Sequence, residues 1–185
     1  MKYLTLIYVL VVMVTVAICQ SLGHSGKDGV DATEQFTAIR EINLLRKKET
    51  KDSTGGQVPD VEWDANLASI ADVHVRNCYY PERDDPDNYD KYIDLGGTGT
   101  VGSLKTHLGD PGRLKDALDL WDDEGYLYNY DTQICVGGTT CNNYLQLVNR
   151  GTKKMGCARG LCGGYHYIVC LFNEEYDILA GGRPF

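Results

Sequence analysis

Hydrophobic residues recur at helical intervals in three stretches of the chain, and each stretch predicts one amphipathic helix. The apolar positions of such a helix lie on one face and the charged positions on the other. The predicted faces are Phe36, Ile39, Ile42 and Leu45, then Leu67, Ile70, Ala71 and His74, then Leu114, Ala117, Leu118 and Trp121. His74 lies on the second face, where a histidine is more often a core or rim residue than a ligand.

Polar residues mark the expected ends of these helices. Asp31 and Glu34 have the spacing of a capping box at the start of the first helix. The basic residues 46–48 suit its C-terminus and are expected to form a solvated face. Asp64 can cap the second helix, and Asp110 is predicted to cap the third.

Two apolar segments near the C-terminal end, residues 144–148 and 165–172, are predicted to be core strands. They lie between or beside cysteines in the region from Cys135 to Cys170, which holds five of the seven cysteines of the chain. The three helices are therefore expected to pack on a unit formed by this region.

The N-terminus has the pattern of a secretory signal peptide. Lys2 supplies a short basic region, residues 4–18 form an apolar run, and a small residue precedes the expected cleavage after Cys19. A membrane anchor is the alternative, but the run is short for a span of about 20 residues. We expect a signal peptide over residues 1–19, a flexible tail over 20–32 and one domain over 33–185 in a secreted, extracellular protein.

Cysteine number and charge narrow the possible functions. Removal of the signal peptide leaves six cysteines, which implies three disulfides with fifteen possible pairings. A formal net charge of −8 argues against a nucleic-acid partner, because phosphate contacts need clustered Lys and Arg. The protein is predicted to be neither membrane-integral nor oligomeric.

Catalytic signatures are weak throughout the chain. No Gly-x-Ser-x-Gly element is present, and the histidines have no short-spaced pair that could bind a metal. Residues 81–90 are acidic but lack the alternation of a calcium loop. Residues 97–102 match G-x-G-x-x-G, yet no helix of useful length can follow before the break at 109–112, so a nucleotide site is not expected.

Several motifs recur in a fixed order along the chain. They are Trp63-Asp64-Ala65-Asn66-Leu67, Trp121-x-x-Glu124, Tyr128-Asn129-Tyr130, Cys135-Val-Gly-Gly-x-x-Cys141, Gly156-Cys157-Ala158-Arg159 and the terminal Gly182-Arg183-Pro184-Phe185. Together they resemble the CAP superfamily of secreted proteins, and within it the plant pathogenesis-related proteins of class one. The resemblance covers residues 36–185, essentially the whole mature domain.

This resemblance implies an α+β fold, an α-β-α sandwich with a small antiparallel sheet between helical layers. It also implies three disulfide pairs. These are Cys78 with Cys162, Cys135 with Cys141, and Cys157 with Cys170.

The chain departs from the family at the cavity, where some members hold a divalent metal with two histidines and two acidic residues. Glu124 matches one acidic residue, whereas Asn143 stands in place of a histidine and Gly97 in place of a glutamate. An amide has no basic nitrogen for a metal or a proton. We therefore expect no metal, no cofactor and no catalysis, which disfavours a metal-dependent hydrolase, and we expect Glu124 to bond to backbone or to Asn143.

Two further family activities remain open. Some members bind sterols through an aromatic loop, for which Tyr126, Tyr128 and Tyr130 are the candidates here. Plant members can also release a C-terminal signalling peptide, which would require cleavage near Asn173, although the usual Pro-x-Gly-Asn turn is missing. The resulting prediction is a non-enzymatic, plant-type defence protein that binds a sterol, another lipid, or a pathogen or host extracellular protein.

Overall fold

The computed structural model describes residues 29–50, 56–78, 102–109, 112–138, 140–176 and 184. The helices in these ranges are α1 (Ala32–Glu49), α2 (Ala65–Arg76), α3 (Leu114–Asp123) and α4 (Asn142–Val148). The strands are β1 (Glu62–Trp63), β2 (Gly102–Leu108), β3 (Tyr128–Asn129), β4 (Ile134–Cys135), β5 (Lys154–Cys162) and β6 (Tyr165–Phe172). Short 3-10 turns span Glu124–Leu127 and Val136–Gly138.

A four-stranded sheet in the order β1-β5-β6-β2 divides the helices into two layers. Side chains alternate between the faces of a strand, so Ile168 of β6 points toward α1, α3 and α4 while Val169 points toward α2. β1 runs parallel to β5, and the other pairs are antiparallel. The predicted α+β sandwich is thereby confirmed, with the small β3–β4 ladder beside it.

Glycines allow the close packing of this sheet. A Cβ on Gly156 of β5 would lie 2.2 Å from the backbone nitrogen of Ala68, so only glycine lets α2 approach the strand this closely. Gly163 and Gly164 both have positive φ in the two-residue turn between β5 and β6. A Gly-Gly turn of this kind suits the twist of an antiparallel hairpin.

Three disulfides join these elements, in the same pairs that the resemblance implies. Cys78 after α2 is bonded to Cys162 at the end of β5, and Cys157 of β5 is bonded to Cys170 on the neighbouring strand β6. The third bond, Cys135–Cys141, ties β4 to the start of α4.

The predicted strand over residues 144–148 is wrong, because this segment forms most of α4. All five of its residues are buried, against α1, α3 and the C-terminal segment. A short helix that is buried all round has no polar side, so its sequence resembles that of a buried strand. The strand predicted over residues 165–172 is confirmed as β6.

The helix starts follow the prediction only in part. α1 begins at Ala32, just after its predicted cap, and the Asp31 carboxylate accepts the Glu34 N–H at 2.8 Å. The predicted tail over residues 20–32 therefore extends one residue too far. For α3 the cap is Arg113, so the prediction of Asp110 is wrong. The Asp110 side chain itself lies outside the described residues.

The predicted faces of α2 and α3 are buried or partly buried, but that of α1 needs correction. Phe36 is 71% exposed, whereas Arg46, expected in a solvated face, is completely buried. Its guanidinium donates to the carbonyl oxygens of Pro59, Leu147, Asn149 and Thr152. Burial lowers the pKa of Arg46 to about 10.

Candidate functional site

Glu124 follows α3 directly, and its carboxylate lies at the first turn of α4. Its Oε2 accepts the backbone N–H groups of Asn143 and Tyr144 at 3.0 and 3.4 Å, and its Oε1 accepts the Asn143 side-chain amide at 2.5 Å. The first N–H groups of a helix have no partner within the helix. Glu124 therefore caps α4, with Asn143 bonded to it through both side chain and backbone.

The donor set at this position does not fit a metal ion. Both carboxylate oxygens of Glu124 already accept hydrogen bonds, and the adjacent Asn143 offers an amide rather than an imidazole. Gly97, which stands where the resemblance implies a glutamate, lies outside the described residues. Across the described part of the chain, no group of three or more His, Cys, Asp or Glu side chains could hold a metal.

Tyr144, which the sequence did not single out, fills the space next to this carboxylate. Its hydroxyl donates to Glu49 Oε2 at 3.0 Å, and burial raises the pKa of the phenol. A Cβ on Gly125 would lie 2.8 Å from the ring of Tyr144, so the turn after Glu124 also packs tightly on it. Phenol, ring and carboxylate thus belong to the packed interior around α4.

The three candidate tyrosines do not share one environment. Tyr128 is buried and its ring contacts that of the half-buried Tyr130 edge-on, with 5.2 Å between ring centroids. Tyr126, in contrast, is 88% exposed. The loop therefore presents one tyrosine to solvent, while the other two pack in the core around Tyr144.

Two aliphatic residues of the neighbouring strand are exposed as well. Ile134 in β4 and Val136 just after it are 63% and 57% exposed. Tyr126 lies in the 3-10 turn that leads into β3, the partner strand of β4, and we call Tyr126, Ile134 and Val136 the hairpin patch. Sequence reasoning missed the two aliphatic members, because a strand of two residues is too short to show an alternating pattern.

The segment around the proposed processing site is held to the domain. Asn173 Oδ1 accepts the N–H groups of Lys153 and Lys154 at 2.8 and 2.6 Å. The Gln146 side chain donates to the carbonyl of Glu174 and accepts the N–H of Tyr176, both at 2.8 Å. Cleavage near Asn173 would therefore require these hydrogen bonds to open.

Two other sequence features receive structural roles. His74 is 2% exposed on the buried face of α2, as expected for a core histidine. The glycine motif of residues 97–102 leads into strand β2, which starts at Gly102. A dinucleotide-binding motif needs a helix N-terminus at this point, so the arrangement does not suit a nucleotide. Within the described residues, no helix has the length and hydrophobicity needed to cross a bilayer.

Comparison with known proteins gives a consistent family. The model of the CAP family, described as the cysteine-rich secretory protein family, matches residues 39–172. Pathogenesis-related leaf protein 6 of Solanum lycopersicum is 33% identical over 130 residues, which is 69% of this chain and 73% of the relative. A pathogenesis-related protein of PR-1 type from Sambucus nigra is 29% identical over 134 residues, covering 69% and 72%.

Solved structures share the fold at lower identity. Schistosoma mansoni venom allergen-like protein 4 superimposes with a TM-score of 0.65 at 22% identity, covering 84% of this chain and 95% of that chain. The structure of NaASP2 with Zn²⁺ gives a TM-score of 0.56 at 19% identity, covering 81% and 86%. Because the family model spans well over half of its residues, the chain belongs to the CAP family of cysteine-rich secretory proteins.

Proposed function

We propose that this chain is a secreted, non-enzymatic defence protein of the plant pathogenesis-related type, and that it binds sterol-containing membranes through the hairpin patch. The exposure of Tyr126, Ile134 and Val136, which lie in or next to the β3–β4 ladder, is the observation that carries the proposal. A non-enzymatic role is supported by Glu124, whose carboxylate is occupied in capping α4. The names of the plant relatives support the defence role.

Secretion is supported by two independent features. The apolar run of residues 4–18 has the pattern of a signal peptide. Three disulfides suit an oxidising compartment outside the cytosol. The protein would then act in the extracellular space and contact a membrane from its outer side.

The chemistry of the hairpin patch suits the boundary between lipid and water. A tyrosine places an apolar ring in the membrane and its hydroxyl at the headgroups. The aliphatic Ile134 and Val136 would add apolar area to the contact. Exposed apolar residues that cluster on one unit often mark a binding surface.

Co-sedimentation of the mature protein, residues 20–185, with phosphatidylcholine vesicles that contain or lack cholesterol tests this function. We expect binding to the sterol vesicles, and we expect the double variant Tyr126→Ala, Ile134→Ala to lose most of it. Tyr165→Ala with Leu161→Ala is the matched control, because these residues are also 59% and 56% exposed but lie at the β5–β6 turn.

Equal loss of binding in both double variants would contradict a role for the hairpin patch. Absence of vesicle binding in the unchanged protein would reject the lipid function and favour a partner protein. Metal analysis of the same sample tests the non-enzymatic role, since a stoichiometric divalent metal would contradict it.

A further inference from the structure

The hairpin patch lies in a stretch of the chain that carries negative charges only. Between Lys115 and Arg150 the sequence has no Lys, Arg or His, and its acidic residues are Asp116, Asp119, Asp122, Asp123, Glu124 and Asp131. Apolar surfaces that bind membranes are commonly flanked by Lys and Arg, which are attracted to anionic lipids. The sequence around the hairpin patch has the opposite charge.

Asp123 is placed beside Tyr126 by the 3-10 turn Glu124–Leu127. It is the N-cap of this turn and has helical backbone angles, with φ of −57° and ψ of −25°. A 3-10 helix has three residues per turn, so side chains three positions apart lie on the same side. Asp123 and Tyr126 therefore share one side of the turn, and both are exposed.

Asp131 lies in the turn that joins β3 to β4, three residues before Ile134. The N–H groups of Asp131 and Thr132 donate to Asn129 Oδ1 at 3.0 and 2.9 Å, which holds the backbone of this turn. The side chain of Asp131 is exposed. Neither this carboxylate nor that of Asp123 makes a hydrogen bond or ion pair with a described residue, so no group in that part of the chain neutralises them.

Lys48 of α1 brings a positive charge near Tyr126, but it already has a partner. Its pKa is raised chiefly by the hydrogen bond to Glu49, with smaller contributions from Asp122 and Tyr126. The ammonium of Lys48 lies 2.9 Å from a carboxylate oxygen of Glu49. The two exposed carboxylates therefore determine the charge that the surroundings of the hairpin patch present to a lipid surface.

We propose that Asp123 and Asp131 make the hairpin patch selective for membranes with neutral headgroups, so that anionic lipids weaken its binding. This selectivity rests on the proposed function, membrane binding through the hairpin patch. An anionic lipid surface attracts basic residues and repels carboxylates within a Debye length, which is about 10 Å at 0.1 M salt. Apolar contact would supply the affinity, and the carboxylates would decide which lipid surface is accepted.

Co-sedimentation of residues 20–185 with two kinds of vesicle tests the selectivity. Both contain phosphatidylcholine and cholesterol, and in one of them part of the phosphatidylcholine is replaced by the anionic phosphatidylglycerol. In about 0.1 M NaCl we expect binding to the anionic vesicles to be about fivefold weaker or more, because two carboxylates meet a negative surface. Added NaCl should reduce this difference, since it screens exposed charges.

Two double variants separate local charge from net charge. Asp123→Asn with Asp131→Asn should bring the two affinities to within about twofold of each other. Glu62→Gln with Asp72→Asn is the matched control and should keep the selectivity. It removes the same number of charges, from the exposed Glu62 of β1 and from α2, which packs on the opposite face of the sheet. A circular dichroism spectrum of each variant shows whether it is folded.

The possible failures are distinguishable. Equal or tighter binding of the unchanged protein to anionic vesicles would overturn the selectivity alone and leave the proposed function standing. The same gain in both double variants would show that net charge is responsible, and unchanged selectivity in the folded Asp123→Asn, Asp131→Asn protein would show that these carboxylates have no part in it. Absence of binding to both vesicles would reject the proposed function and the selectivity together.

Discussion

Asp122 and Glu124 stand two residues apart at the end of α3, and their surroundings are opposite. Both side chains are partly buried. Glu124 faces the first turn of α4 and accepts three hydrogen bonds, from Asn143 and Tyr144. The Asp122 carboxylate accepts no hydrogen bond from the described residues, and the positive charge of Lys48 only partly offsets its burial. The backbone turn after α3 decides which carboxylate meets N–H donors.

This difference separates carboxylates that stabilise the fold from carboxylates that cost stability. A buried polar group whose hydrogen bonds are made within the protein contributes to the fold, and its hydrogen-bonding capacity is used there. A carboxylate that is desolvated and only partly compensated by a nearby positive charge costs stability. Glu124, at a position where some members of the family hold a metal, belongs to the first kind, whereas Asp122 belongs to the second.

Arg46 is a completely buried charged group that is hydrogen-bonded to four carbonyls. Replacing it should have the largest effect on stability. Arg46→Ala leaves the four carbonyls of Pro59, Leu147, Asn149 and Thr152 without this donor and opens a cavity. We expect a loss of about 3–5 kcal/mol in the free energy of unfolding. Urea denaturation at neutral pH measures it.

Arg40→Ala is the control for this prediction, because Arg40 lies on the same helix with a 60% exposed side chain. Its effect should stay within about 0.5 kcal/mol. If both variants unfold at the same urea concentration, the carbonyl contacts of Arg46 contribute little and the distinction between satisfied and unsatisfied groups loses its strongest example.

Removing the Glu124 carboxylate should have a smaller but clear effect. Glu124→Ala leaves the first N–H groups of α4 and the Asn143 amide without their acceptor. The expected loss is about 1–2 kcal/mol, as for other helix caps. Glu124→Gln retains one acceptor oxygen and should lose less. Urea denaturation again measures the change.

The exposed neighbour Asp123 provides the comparison for Glu124. Asp123→Ala should change the free energy of unfolding by no more than about 0.5 kcal/mol. A loss in Glu124→Ala no larger than this would show that the carboxylate does not cap α4 in solution. The reason given above for a non-enzymatic role would then fail.

Local signals in the sequence were enough to predict much of the fold. The cap at Asp31 acts on a residue three positions away, and the buried strand β6 is long and continuously apolar. Ile42 on the predicted face of α1 is buried, although Phe36 on the same face is exposed. Such features depend on neighbours along the chain, so spacing and residue type reveal them.

Features that depend on distant residues were not predictable in this way. Three of the carbonyls that bind Arg46 lie 101 to 106 residues further along the chain. A basic residue at a helix end is usually solvated, so only the tertiary arrangement shows that this one is buried. The same holds for α4, which lacks a polar side because other elements surround it.

The residues of the candidate site were also predictable only in part. Resemblance to a family brought Glu124 and Asn143 together, and their side chains are in contact. It could not separate exposed Tyr126 from buried Tyr128, because their exposure depends on how the 3-10 turn meets β3. Nor could it show that Asp122 is half-buried, because the environment of Asp122 is formed by the packing of α1 against α3.

Asp122 gives the smallest expected effect, and its sign is opposite to that of the other two. Burial raises the pKa of its carboxyl in the folded protein, so the charged form destabilises the fold at neutral pH. Asp122→Asn removes that charge and should raise Tm, by an amount on the order of 1 °C, because water and Lys48 screen a half-buried group.

The dependence on pH distinguishes this cause from improved packing. As pH falls through the raised folded pKa, the wild-type carboxyl becomes protonated and its penalty fades, until below about pH 4 it is neutral in both folded and unfolded states. The Tm advantage of Asp122→Asn should therefore be present at pH 7 and vanish near pH 4. An advantage of the same size at both values would point to packing instead, and a loss of stability at pH 7 would mean that Asp122 has a stabilising partner, which would make it resemble Glu124 after all.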